Sequence, residues 1–238
     1  MTRIEAQPCW ILHRRPWRES SLLIELFSRD HGRLGIVARG ARGQRSAWRG
    51  LAEPFIPLIA SWTRRGEMGT LTALETAGDR RRLAGRTLWC GLYANELLLK
   101  LLGRDDVGQA VLFDGYGRLL AGLEEGQSAA VLLRRFEMEL LRAQGVAPDL
   151  SIEAGTGVPV EADRLYHLRP ETGLTRAEAG MNNVFSGRAA LVVTGQLEPD
   201  RESAREARNL TRLLIDHQLD GQALKTRELF RPERMQMI

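Results

Sequence analysis

Short apolar runs broken by Gly and Pro fill the first 80 residues, and the spacing of apolar positions turns helical after Gly85. Residues 9–12, 22–27, 34–38, 54–62 and 68–74 each read as a strand of the right length, bounded by turn residues. Pro16-Trp17, Asp30-His31-Gly32 and Arg65-Gly66-Glu67 supply the turns, and Pro54 and Pro57 place the fourth strand at an edge or a strand start. Five short strands in so little chain predict a small barrel, and the five-stranded OB-fold is the usual one at this size. Strand number alone leaves an SH3-like barrel open.

Beyond residue 80 the period is that of amphipathic helices. Thr87 is a candidate cap for a helix over 87–102, with Leu88, Leu92, Leu99 and Leu102 on one side and Gly103 as its stop. Further helices are predicted over 107–123, 128–144 and 200–219, with a short last one over 225–231. Residues 148–180, rich in Gly, Pro and turn formers, read as an irregular insert. The expected class is α+β: a barrel domain over 1–80 and a mostly helical domain over 81–238.

Charge sharpens that division. Residues 1–80 hold 13 Lys and Arg against 8 Asp and Glu, whereas the rest hold 21 against 22. All five tryptophans precede residue 90, and only Lys100 and Lys225 are lysines. Arginine's planar fork binds phosphate bidentately. No apolar run reaches the roughly 20 residues of a membrane span, and the first residues lack the apolar core of a secretory signal. Cys9 and Cys90 lie far apart and suggest neither a disulfide framework nor a zinc site, so a reducing cytoplasm is expected.

Residues 31–52 contain Arg33, Arg39, Arg42, Arg45 and Arg49, five glycines, Trp48 and no acid. Fixed positive charge, open backbone and a flat ring suit a polyanion with stackable bases; a solvated loop is the plainer alternative. A second candidate is the helix after Pro199. Arg201, Arg205, Arg208 and Arg212, spaced 4, 3 and 4 apart, fall within an arc of roughly 60°, opposite Ala207, Leu210 and Leu214. That stripe would track phosphates, continued by Lys225 and Arg227, or be a solvated face neutralised by Glu202 and Glu206. Enzyme signatures are missing: residues 40–46 lack the phosphate-loop spacing and lysine, the four histidines are scattered, and no carboxylate cluster suits two metals.

Several segments together resemble the RecO family. They are Leu12-His13-Arg14-Arg15-Pro16-Trp17-Arg18-Glu19-Ser20-Ser21-Leu22, Gly32-Arg33, Ala38-Arg39-Gly40-Ala41-Arg42, Gly91-Leu92-Tyr93-Ala94-Asn95-Glu96-Leu97-Leu98, Leu133-Arg134-Arg135-Phe136-Glu137 and Leu224-Lys225-Thr226-Arg227-Glu228-Leu229-Phe230-Arg231. The resemblance implies an N-terminal OB-fold, a helical C-terminal domain and no bond chemistry. It implies a recombination mediator in DNA repair that binds single- and double-stranded DNA and anneals complementary strands. The implied partners are the acidic C-terminal tail of single-stranded DNA-binding protein and RecR, with a link to RecA and to RecF. Many members carry a four-cysteine zinc site after the third helix. Residues 150–157 here contain no cysteine, so the chain resembles the zinc-free branch and neither metal nor cofactor is expected.

The DNA-contacting candidates are then Arg14, Arg15, Trp17, Arg33, Arg39, Arg42, Arg45 and Trp48 on the barrel, and Arg205, Arg208, Arg212, Lys225 and Arg227 further on. Arg134, matched from the family's segment, is the candidate cation for the tail carboxylate, beside Leu133. An OB-fold RNA-binding or ribosome-associated factor, and a nuclease, are the rival readings.

Overall fold

A computed structural model describes residues 1–230; Arg231, the end of the last expected helix, lies outside the described residues. Five strands, β1 (Thr2–Trp17), β2 (Ser21–Ser28), β3 (Gly32–Ala38), β4 (Leu58–Arg65) and β5 (Met68–Thr76), close into a barrel in the order β1-β2-β3-β5-β4. Only β3 and β5 pair in parallel, which gives the Greek-key barrel of an OB-fold rather than an SH3-like one. The strand β1 is longer than its apolar run because it pairs with both neighbours that close the barrel. Register shifts between Ile4 and Gln7 against β4, and between Ile11 and His13 against β2, bend it from one to the other. Pro16 and Trp17 therefore belong to the strand, paired with Leu22 and Ser21. The turn follows at residues 18–20, where Arg18 takes φ 51°.

Ile11, Ile24, Ile36, Leu58, Trp62 and Leu71 fill the barrel. Helices α1 (Gly85–Leu101) and α2 (Ala110–Glu124) belong to the same compact unit. Trp10 and Phe27, both buried, leave the barrel on its outer side and meet Tyr116 and Phe113 of α2 at ring-centroid distances of 5.5 and 5.4 Å. This is why β2 reads as a continuous apolar run: both of its faces are covered. Asn95 of α1 donates to the Leu12 carbonyl (2.9 Å) and accepts the Tyr116 hydroxyl, a buried polar link between barrel and helices. Gly32, at φ 64°, lies so close to the Asp106 backbone that a Cβ would collide with its carbonyl oxygen. Thr87 is not the cap of α1. It is the third helical residue, after Ala84 at the cap, and its hydroxyl accepts the Ala84 amide at 3.2 Å.

The described chain forms two compact units, residues 1–125 with 224–230, and residues 126–223. The position near residue 80 is thus where the barrel ends, while the compact units part after Glu125. The second unit holds α3 (Ala129–Ala143), α4 (Gly187–Val193), α5 (Arg201–Leu219) and an antiparallel sheet of β6 (Leu165–Arg169), β7 (Gly173–Arg176) and β8 (Val184–Ser186), with β6 central. The expected irregular insert is therefore partly a small sheet. Buried Leu150, Val160, Tyr166, Leu168 and Leu174 hold it together, and buried Glu153 pairs with Arg176 at 3.0 Å. Asp200 caps α5, accepting the amides of Glu202 and Ser203 at 3.0 and 2.8 Å. Ala207, Leu210 and Leu214 bury its inner face.

Candidate nucleic-acid interface

The loop over residues 39–57 covers one end of the barrel. Its backbone closes in successive short turns, Gly43 to Gly40, Ser46 to Gly43, Arg49 to Ser46 and Leu51 to Trp48, each amide donating to the carbonyl three residues back. Trp48 and Leu51 pack inward on the barrel core while Trp48 stays half exposed. Arg39 and Arg45 are exposed and have no ion-pair partner among the described residues. Arg42 is exposed, and among the described residues its guanidinium donates only to the carbonyls of Arg18 and Glu19 at 3.4 and 3.3 Å. Those bonds hold the loop to the β1–β2 turn and leave the charge uncompensated.

At that turn Arg15 lies over the half-exposed Trp17 ring, 5.9 Å from its centroid. An exposed cation–π contact is worth about 0.5–1 kcal/mol, so the pair is held yet displaceable. Arg14 is paired with Glu53. Arg33 is placed differently from the rest. Its side chain is 14% exposed, its Nε donates to the Leu102 carbonyl at 2.8 Å, and it pairs with Glu25 at 3.0 Å. Glu25 also holds Arg104 at 2.5 Å. Arg33 thus ties β3 to the end of α1, and its charge is already neutralised. Sequence spacing carries no signal that separates it from Arg39, because its partner sits on the neighbouring strand.

On α5, Arg201, Arg205, Arg208 and Arg212 are all exposed, as the spacing requires. Arg212 pairs with Asp216 at 3.4 Å, while Arg205 and Arg208 have no ion-pair partner among the described residues. Glu206 does not neutralise the stripe, since its carboxylate accepts the amide and hydroxyl of Ser186. Lys225 and Arg227 lie beyond that helix, in the other compact unit. The helix ends at Leu219 with Asp220 left-handed, and residues 224–230 belong to the first unit, where Lys225 and Thr226 donate their amides to Glu96. Lys225 is exposed and Arg227 half-buried.

Arg134 of α3 is buried, its side chain 9% exposed, and it donates to Glu137 one turn on at 2.5 Å. Its Nε has no hydrogen-bond partner among the described residues. Leu133 is buried beside it, and Phe136 is core. Among the described residues no group of three or more His, Cys, Asp or Glu could hold a metal, and no helix is long and apolar enough to cross a membrane.

A closed five-stranded barrel with a cationic, tryptophan-bearing loop, followed by a largely helical unit, defines an OB-fold protein. Residues 1–79 match the family model described as Recombination protein O N terminal, and residues 82–228 match Recombination protein O C terminal. The chain belongs to the RecO family. It is 46% identical over 233 residues to a DNA repair protein RecO of Alkalilimnicola ehrlichii, covering 96% of this chain and 92% of that one. It is 41% identical over 232 residues to that of Aromatoleum aromaticum, covering 96% of each. The namesake from Erwinia tasmaniensis is 36% identical over 225 residues, 94% of this chain and 92% of the other.

Proposed function

We propose that this DNA repair protein is a recombination mediator that works by binding rather than by bond chemistry, taking up DNA strands and bringing complementary ones together. The observation that carries the reading is the barrel-end loop. Arg39, Arg42 and Arg45 are exposed, without counter-charges among the described residues, in the loop that also carries the half-buried Trp48, on a fold whose relatives are named for DNA repair. Uncompensated arginines displace the counterions of a phosphate backbone, so affinity should fall steeply with salt. Stacking on Trp17 or Trp48 is indifferent to sequence because every base has a π-face.

Annealing needs two strands neutralised at once. The barrel loop serves one, and Arg205 and Arg208 on α5 serve the other. Recruitment to coated strands falls to the second unit. The acidic tail of single-stranded DNA-binding protein would place its carboxylate on the unbonded side of Arg134, next to Leu133. Glu137 already occupies the other side. RecR would join the complex to load RecA, with RecF as a further partner.

The test of DNA as the polyanion is titration of single-stranded DNA and of structured RNA at matched salt. A steep salt dependence with preference for the single strand supports the reading. Preference for structured RNA would support the RNA-binding alternative instead.

A further inference from the structure

Between the 39–57 loop and the barrel lies an open depression of about 350 Å³. Its floor is apolar and buried, made by Leu22, Ala41 and Ala52, and Trp48 forms part of its lining. Arg42 and Arg49 stand at its rim, both exposed. Among the described residues the Arg49 guanidinium makes only a 3.5 Å bond, to the Gln44 carbonyl. The remaining charged lining, Arg14 and Glu53, is paired internally. A small, concave, apolar-floored site with a few converging polar groups is the form of a ligand pocket, here at the lower end of the usual size range. Its two rim guanidinia bond only to backbone carbonyls among the described residues and carry no counter-charge, which suits the backbone phosphates of a strand whose base lies in the depression.

We propose that this depression takes a single extruded nucleobase of a DNA strand, stacked on Trp48, with the adjoining phosphates on Arg42 and Arg49. The proposal rests on the DNA-binding reading and adds to it a reason for strand discrimination. A base held in a duplex is stacked and paired and cannot enter without the cost of extrusion, a few kcal/mol, whereas an unpaired base is already free. The open arginines serve either form of DNA, and the depression favours the single strand alone. During annealing the base must leave the depression to pair, so the site holds a strand without committing it.

The test compares three ligands of equal length at one salt concentration: a single strand, its duplex, and an oligomer of abasic units with the same phosphates. The wild-type protein should bind the ordinary strand about tenfold more tightly than the abasic one, within the range expected for base–aromatic stacking. Trp48→Leu, which keeps apolar cover on the barrel, should shrink that ratio at least fivefold and lower the preference for single strand over duplex, while affinity for the abasic strand stays unchanged. A thermal melt checks that the variant is folded. If wild-type protein binds ordinary and abasic strands equally, with normal salt dependence, the base site is wrong and the phosphate-binding reading survives. An unchanged ratio in folded Trp48→Leu also overturns the base site. If wild-type protein binds none of the three, both readings fall.

Discussion

The carboxylate of Glu96 accepts the Thr226 hydroxyl at 2.6 Å and its backbone amide at 2.8 Å, joining residues 130 positions apart. With the Lys225 amide at 2.9 Å and Trp89 edge-on to Phe230, this clasp holds the short 3-10 turn Lys225–Phe230 on α1. Burial pushes the Glu96 pKa up, but the Thr226 and Lys225 hydrogen bonds and nearby Lys100 outweigh it, so the net direction is down. A carboxyl lowered in the folded state contributes stability that is fully present above its ordinary pKa and lost as pH falls through the lowered one. Glu96→Gln should therefore cost about 1–2 kcal/mol at pH 7. In urea unfolding the gap to wild type should close on acidification below about pH 4.3, the ordinary glutamate value.

Arg33 and Arg39, six residues apart, should separate stability from binding. Arg33→Ala removes a part-buried pair and a bond to the Leu102 carbonyl, at a cost of about 1–3 kcal/mol, and leaves Glu25 to Arg104 alone. DNA affinity of the folded fraction should be retained. Arg39→Ala should leave stability within about 0.5 kcal/mol and lower the salt slope of single-strand binding by roughly 0.7. Denaturant melts and salt titrations of both variants check the contrast, and equal loss of DNA affinity in the two would contradict it.

On α5, Arg205→Glu with Arg208→Glu reverses the two unpaired charges without touching the buried face. The helix should stay folded, since the substitutions are exposed and glutamate is a good helix former. Single-strand affinity should fall by less than about threefold, the barrel sites being intact, while the annealing rate should drop at least tenfold. That expectation follows from phosphate neutralisation on both strands. Stopped-flow annealing of labelled complements reads it.

Arg134 and Glu137 form a buried pair, and removing one partner of such a pair costs about 3–5 kcal/mol. Arg134→Ala should lose binding to the tail of single-stranded DNA-binding protein while the folded fraction keeps its affinity for naked DNA. Glu137→Gln separates packing from recognition. With the competing carboxylate neutralised and the guanidinium still present, tail-peptide affinity measured by fluorescence anisotropy should rise. A fall in Glu137→Gln would show that the pair only holds α3 in place.

The barrel was legible because its strands are apolar runs cut by Gly and Pro, and α5 because its arginines and leucines keep strict helical spacing. The first half of β1 was not, since residues 2–7 are half-buried or exposed and show no alternation. The sheet β6–β8 was hidden by strands of three to five residues among turn formers. The seven-residue α4 was hidden too, because its short run Ala189-Ala190-Leu191-Val192-Val193 is ambiguous between helix and strand. Composition picked out the arginine-rich loop but could not tell a committed guanidinium from an open one. Glu25, Glu53 and Glu96 each find partners that only the fold brings near.

Strand annealing tests the mediator reading most directly. Complementary strands would be supplied naked, coated with single-stranded DNA-binding protein, or coated with a form lacking the acidic tail. The predicted result is ATP-independent annealing of naked and fully coated strands, with the tail-deleted coat blocking the reaction. Failure to anneal naked strands, or equal annealing through both coats, would contradict it.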